Sequence, residues 1–211
     1  MKYPVTIVDD FFADPDAVRE LALSHTFDKD DDNYPGKRTE RLNIIEPFFY
    51  ENFVKRLNSI FGFTDNNFCD CGFQRNKCLY PKTDPRNRGW VHVDTYYSFQ
   101  GIVYLNPDPD PETGTDIYKC IGVTSYSSDE KEKVRRETYQ GKTDLITFKQ
   151  VYEEYHKQYK RTVSVDNVYN RLVCFDNTTH HGVRYNGDTE RLTLPFFVQN
   201  NNPAPLERQL I

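Results

Sequence analysis

The chain has 211 residues, of which 37% are hydrophobic, and its fifteen tyrosines and fifteen phenylalanines accompany a formal charge of −5. The length suits one domain, and the aromatic side chains supply enough buried area to argue against a disordered chain. The acidic balance disfavours a protein that neutralises many phosphates, so we expect no nucleic-acid partner.

The sequence also bears on the cellular compartment of the protein and on its contact with membranes. The first residues lack an apolar signal segment, and no apolar run approaches the roughly 20 residues that span a bilayer. Five cysteines, an odd number, favour reduced thiols. The pattern Cys69-x-Cys71 lacks the two-residue gap that is usual in structural zinc sites. We therefore expect a cytoplasmic protein without a membrane partner.

The N-terminal third contains the signals of a strand and two helices. Val5–Val8 predicts a short strand, and an Asp-Pro pair then predicts the start of a helix over Asp16–Ser24. Residues 28–37 are acidic and rich in turn formers, which predicts a loop. Apolar residues at helical spacing predict a second helix over Pro47–Phe61.

From about Phe68 the pattern changes to short segments rich in Tyr, Phe, Val and Thr between turns, which is typical of a sandwich or barrel. The predicted strands are residues 72–80, 89–95, 98–106, 114–121, 171–176, 180–185 and 190–198.

An insertion interrupts these strands. Ser127–Glu137 is charged, and a helix is predicted at about residues 145–160, where Thr147–Lys160 carries apolar residues on one side. We therefore expect a mainly β fold with flanking helices, of the α+β class, as a single domain over residues 1–211. Its helical support would occupy residues 1–66, and its β core residues 67–200.

His92 and Asp94 are the first candidates for chemistry. They flank Val93 in a predicted strand, so both side chains project to one face with Cα atoms roughly 7 Å apart. With a second imidazole from elsewhere, they can form the facial triad that holds iron(II) and leaves positions open. A chance His-x-Asp is common in such an Asp-rich chain, so the motif needs independent support.

Support comes from residues 170–198, where a buried strand is followed by the pair His180-His181 and then by Arg191. Taken with the His-x-Asp motif, this order resembles the 2-oxoglutarate and iron(II)-dependent dioxygenases, particularly the prolyl 4-hydroxylase-like branch. The resemblance spans roughly residues 78–198. The opening residues also resemble small phage and marine bacterial members of this superfamily.

The resemblance implies a double-stranded β-helix, the jelly-roll core that cupins also have. It further implies that Fe(II) is held by His92, Asp94 and His181. Members of the family that halogenate have a small residue in place of the carboxylate, so the presence of Asp94 favours hydroxylation.

The resemblance also implies a co-substrate site for 2-oxoglutarate. Arg191 and Tyr104 match residues that bind its distal carboxylate, Tyr80 matches a residue near its keto-acid end, and Thr193 is assigned to the same site. The chemistry is suitable, because a guanidinium grips a carboxylate with two hydrogen bonds and a phenol can donate a third.

A hairpin predicted at Asn186-Gly187 leaves two alternatives for the distal ligand. A two-residue turn pairs Gly182 with Arg191 and places His180 on the face of the arginine, whereas a three-residue loop with a bulge selects His181. Turn chemistry permits both. The spacing of the family's ligand from the aromatic residue of the preceding strand favours His181.

Four further residues are not assigned to the site. One is interpreted as packing in the core, and three are interpreted as solvent-exposed. Trp90 is expected to pack on the face of its strand opposite to the metal ligands. Arg38 and Arg41 are candidates for contact with an acidic substrate, but charged residues after a polar loop are usually solvated, and we expect this of both. His156 lies on a predicted helix without a partner at ligand spacing and is expected to be exposed.

The implied function is hydroxylation of an unidentified substrate, a peptidyl or free amino acid or another small molecule. 2-Oxoglutarate and O2 would be co-substrates, and succinate and CO2 would be released. The alternatives are a cupin-like metal enzyme that does not use 2-oxoglutarate and a non-catalytic β-sandwich binding module. Metal content separates the binding module from both enzymes, and succinate production separates the two enzymes. The sequence identifies neither the primary substrate nor the oligomeric state.

Overall fold

The structure is a computed structural model that describes residues 5–30, 34–61, 68–123 and 128–199. The ends of the predicted domain, part of the predicted acidic loop and Ser127 of the predicted insertion lie outside the described residues. None of the described helices combines the length and hydrophobicity that crossing a bilayer requires.

Five α-helices form in the described part of the chain. They are α1 (Pro15–Ser24), α2 (Leu42–Ile45), α3 (Pro47–Phe61), α4 (Ser128–Tyr139) and α5 (Leu145–His156). The Asp14 carboxylate caps α1 by accepting a hydrogen bond from the Ala17 backbone at 3.0 Å, and Asp144 caps α5 in the same way. Both predicted N-terminal helices, α1 and α3, are confirmed, and α1 begins at the local signal that the Asp-Pro pair gives.

Eleven β-strands form among the same residues. They are β1 (Thr6–Val8), β2 (Lys29–Asp30), β3 (Gly36–Arg38), β4 (Phe68–Cys71), β5 (Gln74–Asn76), β6 (Phe99–Tyr104), β7 (Thr115–Cys120), β8 (Tyr159–Val165), β9 (Leu172–Asp176), β10 (His180–Val183) and β11 (Arg191–Gln199).

The strands form two antiparallel sheets. The large sheet has the order β1-β9-β6-β11-β5-β3-β2, with β4 also paired to β11, and the small sheet has the order β10-β7-β8. Side chains from both sheets meet in one apolar cluster, which includes Ile117 of the small sheet and Val173 of the large sheet. The fold is therefore mainly β with flanking helices, as predicted.

The helices at the N-terminal end cover the outer face of the large sheet. Phe53 of α3 packs edge-on against Phe196 of β11, with ring centroids 5.5 Å apart, and both side chains are buried. Because successive side chains on a strand alternate between faces, the neighbours Pro195 and Phe197 point the other way and line a cavity between the sheets.

The predicted hairpin at Asn186-Gly187 is wrong. β10 pairs with β7 of the small sheet, whereas β11 pairs with β4, β5 and β6 of the large sheet. The chain therefore crosses from one sheet to the other, and Gly187 adopts a φ of 87° at the crossing. Asn87 fixes this crossing by donating to the Gly187 carbonyl and accepting from the Gly187 N–H, each at 3.0 Å.

The insertion also differs from its prediction. The helix predicted at about residues 145–160 ends at His156, and the chain continues as β8, an edge strand that pairs with β7. The charged segment Ser127–Glu137 lies largely in α4. In the region predicted as an acidic loop, 28–37, the described ends belong to β2 and β3, which pair with each other. Pairing between strands thus determines the secondary structure of these segments, which their local composition does not predict.

Residues 89–95, predicted as a strand, join no regular ladder. The segment makes an isolated bridge between His92 and His181, and Arg88 just before it makes another with Tyr185. The segment is nevertheless extended and holds two candidate ligands, so its remaining backbone groups need partners from outside a sheet.

Gly101 tests the packing of the large sheet. A Cβ atom there would stand 2.5 Å from Cζ of buried Phe196 and 2.5 Å from the carbonyl oxygen of Val173. We expect Gly101→Ala to lower the free energy of unfolding by about 1–3 kcal/mol through overpacking, measured by urea denaturation. Gly122→Ala is the control, because an added Cβ there meets nothing closer than 3.8 Å. Equal stability of the two variants would contradict the register of β6.

Candidate metal centre

Two backbone hydrogen bonds hold His92 directly opposite His181. The His92 N–H donates to the His181 carbonyl at 2.9 Å, and the His181 N–H donates to the His92 carbonyl at 3.0 Å. This pairing places the two imidazole rings 4.3 Å apart, centroid to centroid. The two ring systems therefore lie side by side although 88 residues separate them in the sequence.

Asp94 completes the group. Its Oδ2 lies 3.8 Å from Nε2 of His92 and 3.4 Å from Nε2 of His181. Among the described residues, these three form the one group of at least three His, Cys, Asp or Glu whose ligand atoms all lie within 4.8 Å of one another. The structure therefore brings together the three residues that the sequence nominated as metal ligands.

The hydrogen bonds of the imidazoles orient their Nε2 atoms for binding. Nδ1 of His92 lies 2.9 Å from the Trp90 carbonyl, and Nδ1 of His181 lies 3.0 Å from the Thr179 carbonyl. Because a carbonyl only accepts, each Nδ1 carries the proton and each Nε2 keeps its lone pair. This is the arrangement by which proteins fix a histidine ligand.

The protonation states also suit a cation. Desolvation inside the cavity, followed by repulsion from His181, lowers the pKa of His92 to about 3, so its ring is neutral. Burial raises the pKa of Asp94, but contact with the His181 imidazole and the proximity of His92 lower it more, to about 2. A neutral His92 imidazole and an ionised carboxylate result, which are the forms of these ligands that bind metals.

His180 points away from this group. Successive residues of β10 face opposite sides, and the His180 ring lies 5.0 Å from that of Tyr159 on β8. The structure thus brings His181, and not His180, to Asp94.

Side chains of α5 occupy the free edge of the segment that carries His92. Tyr152 donates its hydroxyl to the Gly89 carbonyl at 3.0 Å, and Tyr155 donates to the Val91 carbonyl at 3.2 Å. The Val91 N–H donates to Nε2 of His156 at 3.3 Å. These three side chains satisfy backbone groups that a neighbouring strand would otherwise satisfy.

The prediction that His156 is exposed is therefore wrong. Its ring stacks on Tyr152, with centroids 3.7 Å apart, and Nδ1 lies 2.7 Å from the Tyr152 carbonyl. Burial lowers the pKa of His156 to about 4. The sequence does hold a signal, because Tyr152, Tyr155 and His156 lie at helical spacing and share one face of α5.

The three candidate ligands line a cavity of about 460 Å3 between the two sheets. Arg191 of β11 lines the same cavity and is only 6% exposed. Trp90 packs against Phe148 and Tyr152 as expected, but it lines the same cavity as His92 and Asp94, so its predicted place on the opposite face is wrong, because residues two apart on an extended segment share a face. Gln100 and Thr115 are lining residues that sequence reasoning missed, because nothing local distinguishes them from other strand residues.

Arg191 lacks a counter-charge. Its Nη1 donates to the Thr113 carbonyl at 2.9 Å, whereas its buried Nε has no hydrogen-bond partner. No carboxylate of the described residues lies within ion-pair distance of it, and burial lowers its pKa. A buried charge is costly unless it is paired. The site therefore favours binding of an anion.

Tyr104 and Thr193 flank Arg191 without themselves lining the cavity. The Tyr104 ring centroid lies 5.9 Å from Cζ of Arg191, and its hydroxyl is 2.8 Å from that of Thr115. The Thr193 hydroxyl oxygen is buried without a hydrogen-bond partner. Thr193 pairs with Tyr104 across β11 and β6, so both residues lie beside the guanidinium.

Tyr80 lies elsewhere. The ladder of β5 ends at Asn76, and the chain then turns away through a 3-10 turn at Pro85–Asn87. The Tyr80 ring packs under Arg86, with Cζ 4.0 Å from its centroid, and Tyr80 is absent from the lining of the cavity. The described structure therefore does not bring Tyr80 to the metal ligands.

The architecture matches solved structures of 2-oxoglutarate and iron(II) oxygenases at low identity. HygX from Streptomyces hygroscopicus, solved with nickel, 2-oxoglutarate and hygromycin B, aligns with a TM-score of 0.58 at 12% identity, over 95% of this chain and 84% of HygX. A Trichoplax adhaerens prolyl hydroxylase, solved with a peptide of the hypoxia inducible factor oxygen degradation domain, aligns with a TM-score of 0.55 at 11% identity, over 98% and 88%. A 2OG-Fe(II) oxygenase family oxidoreductase from Burkholderia pseudomallei aligns with a TM-score of 0.54 at 13% identity, over 98% and 89%.

These similarities show the fold, a double-stranded β-helix, and so confirm the predicted architecture. At the level of sequence, residues 1–193 match DUF6445, which is described as a family of unknown function. No curated protein matches the sequence.

The His156 contact predicts an acid-sensitive fold. Because the pKa of His156 is about 4 in the folded protein and about 6.5 when unfolded, the unfolded chain binds more protons between these values. The contribution of His156 to stability is therefore complete above pH 6.5 and falls by about 3 kcal/mol as the pH drops towards 4. Urea denaturation at several pH values measures this loss. We expect His156→Gln, which does not titrate, to weaken the pH dependence by this amount, and an unchanged dependence would contradict the assignment.

Proposed function

The chain belongs to the DUF6445 family, whose function is unknown, and we propose that it is an Fe(II)- and 2-oxoglutarate-dependent dioxygenase. In this proposal His92, Asp94 and His181 hold the iron, and Arg191 binds the co-substrate. The primary substrate is hydroxylated with release of succinate and CO2. One observation carries the proposal: a buried arginine without a counter-charge lines the same cavity as a His-Asp-His group.

The donor set fits iron(II). Two imidazoles and one carboxylate are the ligands of the facial triad, which leaves coordination positions open for a chelating co-substrate and O2. A structural zinc site is instead closed by four protein ligands, and the described residues supply three here. The neutral His92 and the ionised Asp94 need no proton loss before they bind the metal.

The surroundings of Arg191 fit a dicarboxylate. A guanidinium can bind a carboxylate through two parallel hydrogen bonds, and the buried Nε of Arg191 and the Thr193 hydroxyl both lack partners. The Tyr104 hydroxyl lies behind the cavity wall, 2.8 Å from the hydroxyl of Thr115, which lines the cavity. An anion bound here would compensate a charge whose burial is otherwise unfavourable.

The chemistry of the reaction would come from the bound iron and 2-oxoglutarate, which together supply oxidising power from O2. The residues of this chain position and shield the reactants. Phe175, whose ring lies 4.3 Å from that of His181, and Ile102 and Val183 give the cavity apolar walls near the metal ligands. Such walls exclude water from reactive groups. Asp94 as a ligand supports hydroxylation as the outcome.

The distal ligand is tested by comparing two adjacent histidines. We expect His181→Ala to weaken iron(II) binding by more than about 100-fold, since the loss of a ligand exceeds the effect of losing its supporting partners. His180→Ala should leave the affinity unchanged, because its ring faces Tyr159. Anaerobic calorimetric titration measures both. A greater loss in His180→Ala would exclude the proposed ligand set.

The role of Arg191 is tested separately from metal binding. We expect Arg191→Gln to raise the Kd of 2-oxoglutarate by about 100-fold, the equivalent of about 3 kcal/mol lost with two charge-assisted hydrogen bonds, with iron(II) affinity unchanged. Arg75→Gln is the matched control, because Arg75 pairs with Glu190 at 2.8 Å on the neighbouring strand β5 and does not line the cavity. If both variants bound 2-oxoglutarate as the wild type does, Arg191 would have no part in its binding.

A further inference from the structure

Arg38 of β3 places another positive charge at the cavity that Arg191 and the candidate metal ligands line. Its Cζ lies 4.5 Å from the ring centroid of Tyr34 and 5.5 Å from that of Phe197, and its Nε donates to the Gln74 side chain at 2.9 Å. Aromatic faces and a fixed hydrogen bond orient the guanidinium. The earlier expectation of a solvated residue is therefore incomplete, since Arg38 is half-buried and lines the cavity.

The charges around the cavity leave Arg38 uncompensated. Three arginines line it, whereas Asp94 is the one lining carboxylate among the described residues. Arg135 pairs with Glu132 at 2.5 Å, and Arg191 is assigned to the co-substrate. Asp70, opposite Phe197 on strand β4, pairs instead with Arg41 at 3.2 Å. No described carboxylate lies within ion-pair distance of Arg38, so its outer N–H groups can bind an anion from solution.

Gln100 lies between Arg38 and the metal ligands. Across the large sheet it pairs with Phe197 on one side and with Phe175 on the other. Arg38 contacts Phe197, and His181 contacts Phe175. Phe197, which contacts Arg38, and Phe175, which contacts His181, are therefore two strand spacings apart, a distance on the order of 10 Å.

The amide of Gln100 also lacks partners. The residue is 1% exposed, and both its Nε2 and its Oε1 are buried without a hydrogen bond. A buried amide left unsatisfied is unfavourable. An amide in a ligand could satisfy both atoms, because it offers one donor and one acceptor.

We propose that Arg38 binds the carboxylate of the primary substrate and that Gln100 hydrogen-bonds an amide in its middle. The substrate class is then a small amide-containing carboxylic acid, oxidised at a carbon remote from its carboxylate. The size of the cavity, about 460 Å3, is that of a small-molecule site. This inference rests on the proposed function, because the metal centre defines the oxidised end.

The test uses N-acylglycines, from acetyl to octanoyl, each paired with its carboxamide. Binding to protein loaded anaerobically with iron(II) and 2-oxoglutarate is followed by fluorescence of Trp90, the one tryptophan of the chain, which lines the cavity. We expect at least one acid to bind at least about tenfold more tightly than its carboxamide, a difference of about 1.4 kcal/mol.

Arg38→Gln should remove this preference, leaving the affinity for carboxamides and for 2-oxoglutarate unchanged. Lys37→Gln is the control, because it removes the same charge from the exposed neighbour on β3 and should keep the preference. Equal binding of acids and carboxamides, no binding of any acid, or a preference that survives Arg38→Gln would overturn the inference. Loss of 2-oxoglutarate binding in Arg38→Gln would also overturn it. Failure of the wild type to bind 2-oxoglutarate would instead refute the proposed function, on which the inference rests.

The variant Gln100→Met distinguishes a role of Gln100 in substrate binding from a role in the stability of the fold. Replacing a buried, unsatisfied amide with an apolar side chain of similar size should raise the Tm, while acids and carboxamides should both bind more weakly. A purely structural glutamine would give a lower Tm instead. Unchanged binding of the N-acylglycines would exclude the proposed amide contact.

Discussion

The two backbone hydrogen bonds between His92 and His181 are the constraint on which the site depends. They join an irregular segment to the edge of the small sheet and so bring two imidazoles and Asp94 to one point. The other edge of that segment is held by Tyr152, Tyr155 and His156 of α5. The inserted helix thus takes the place of a neighbouring strand, which couples the insertion to the position of the metal ligands.

Charge is the second organising feature of the cavity. Among the described residues, no carboxylate lies within ion-pair distance of the buried Arg191 or of Arg38, which aromatic rings orient. Unpaired charges of this kind cost stability and are expected where an anion binds during function. In the proposed enzyme the two arginines bind different anions, the co-substrate near β11 and the primary substrate near β3. The separation between these strands would keep the two carboxylates from competing for one guanidinium.

Local signals predicted much of the fold and part of the site. The helix α1 follows from its cap and α3 from its apolar spacing, and the His-x-Asp motif nominated His92 and Asp94. The hairpin left the choice between His180 and His181 open and does not form, since β10 pairs with β7, far back in the chain; the spacing of the family's ligand is what favoured His181. The contacts of His156 and Arg38 likewise depend on long-range packing, which no local pattern encodes. Tyr80 was assigned from family spacing alone, and the chain turns away before it can reach the cavity.

The most direct test of the account is the visible spectrum of the anaerobic protein as iron(II) and then 2-oxoglutarate are added. Chelation of 2-oxoglutarate to iron(II) in this cavity would produce a charge-transfer band that neither addition gives alone. We expect this band in the wild type and its absence in His92→Ala and in His181→Ala. An iron-loaded, folded protein that shows no band with saturating 2-oxoglutarate would contradict the account and favour a metal site that does not use this co-substrate.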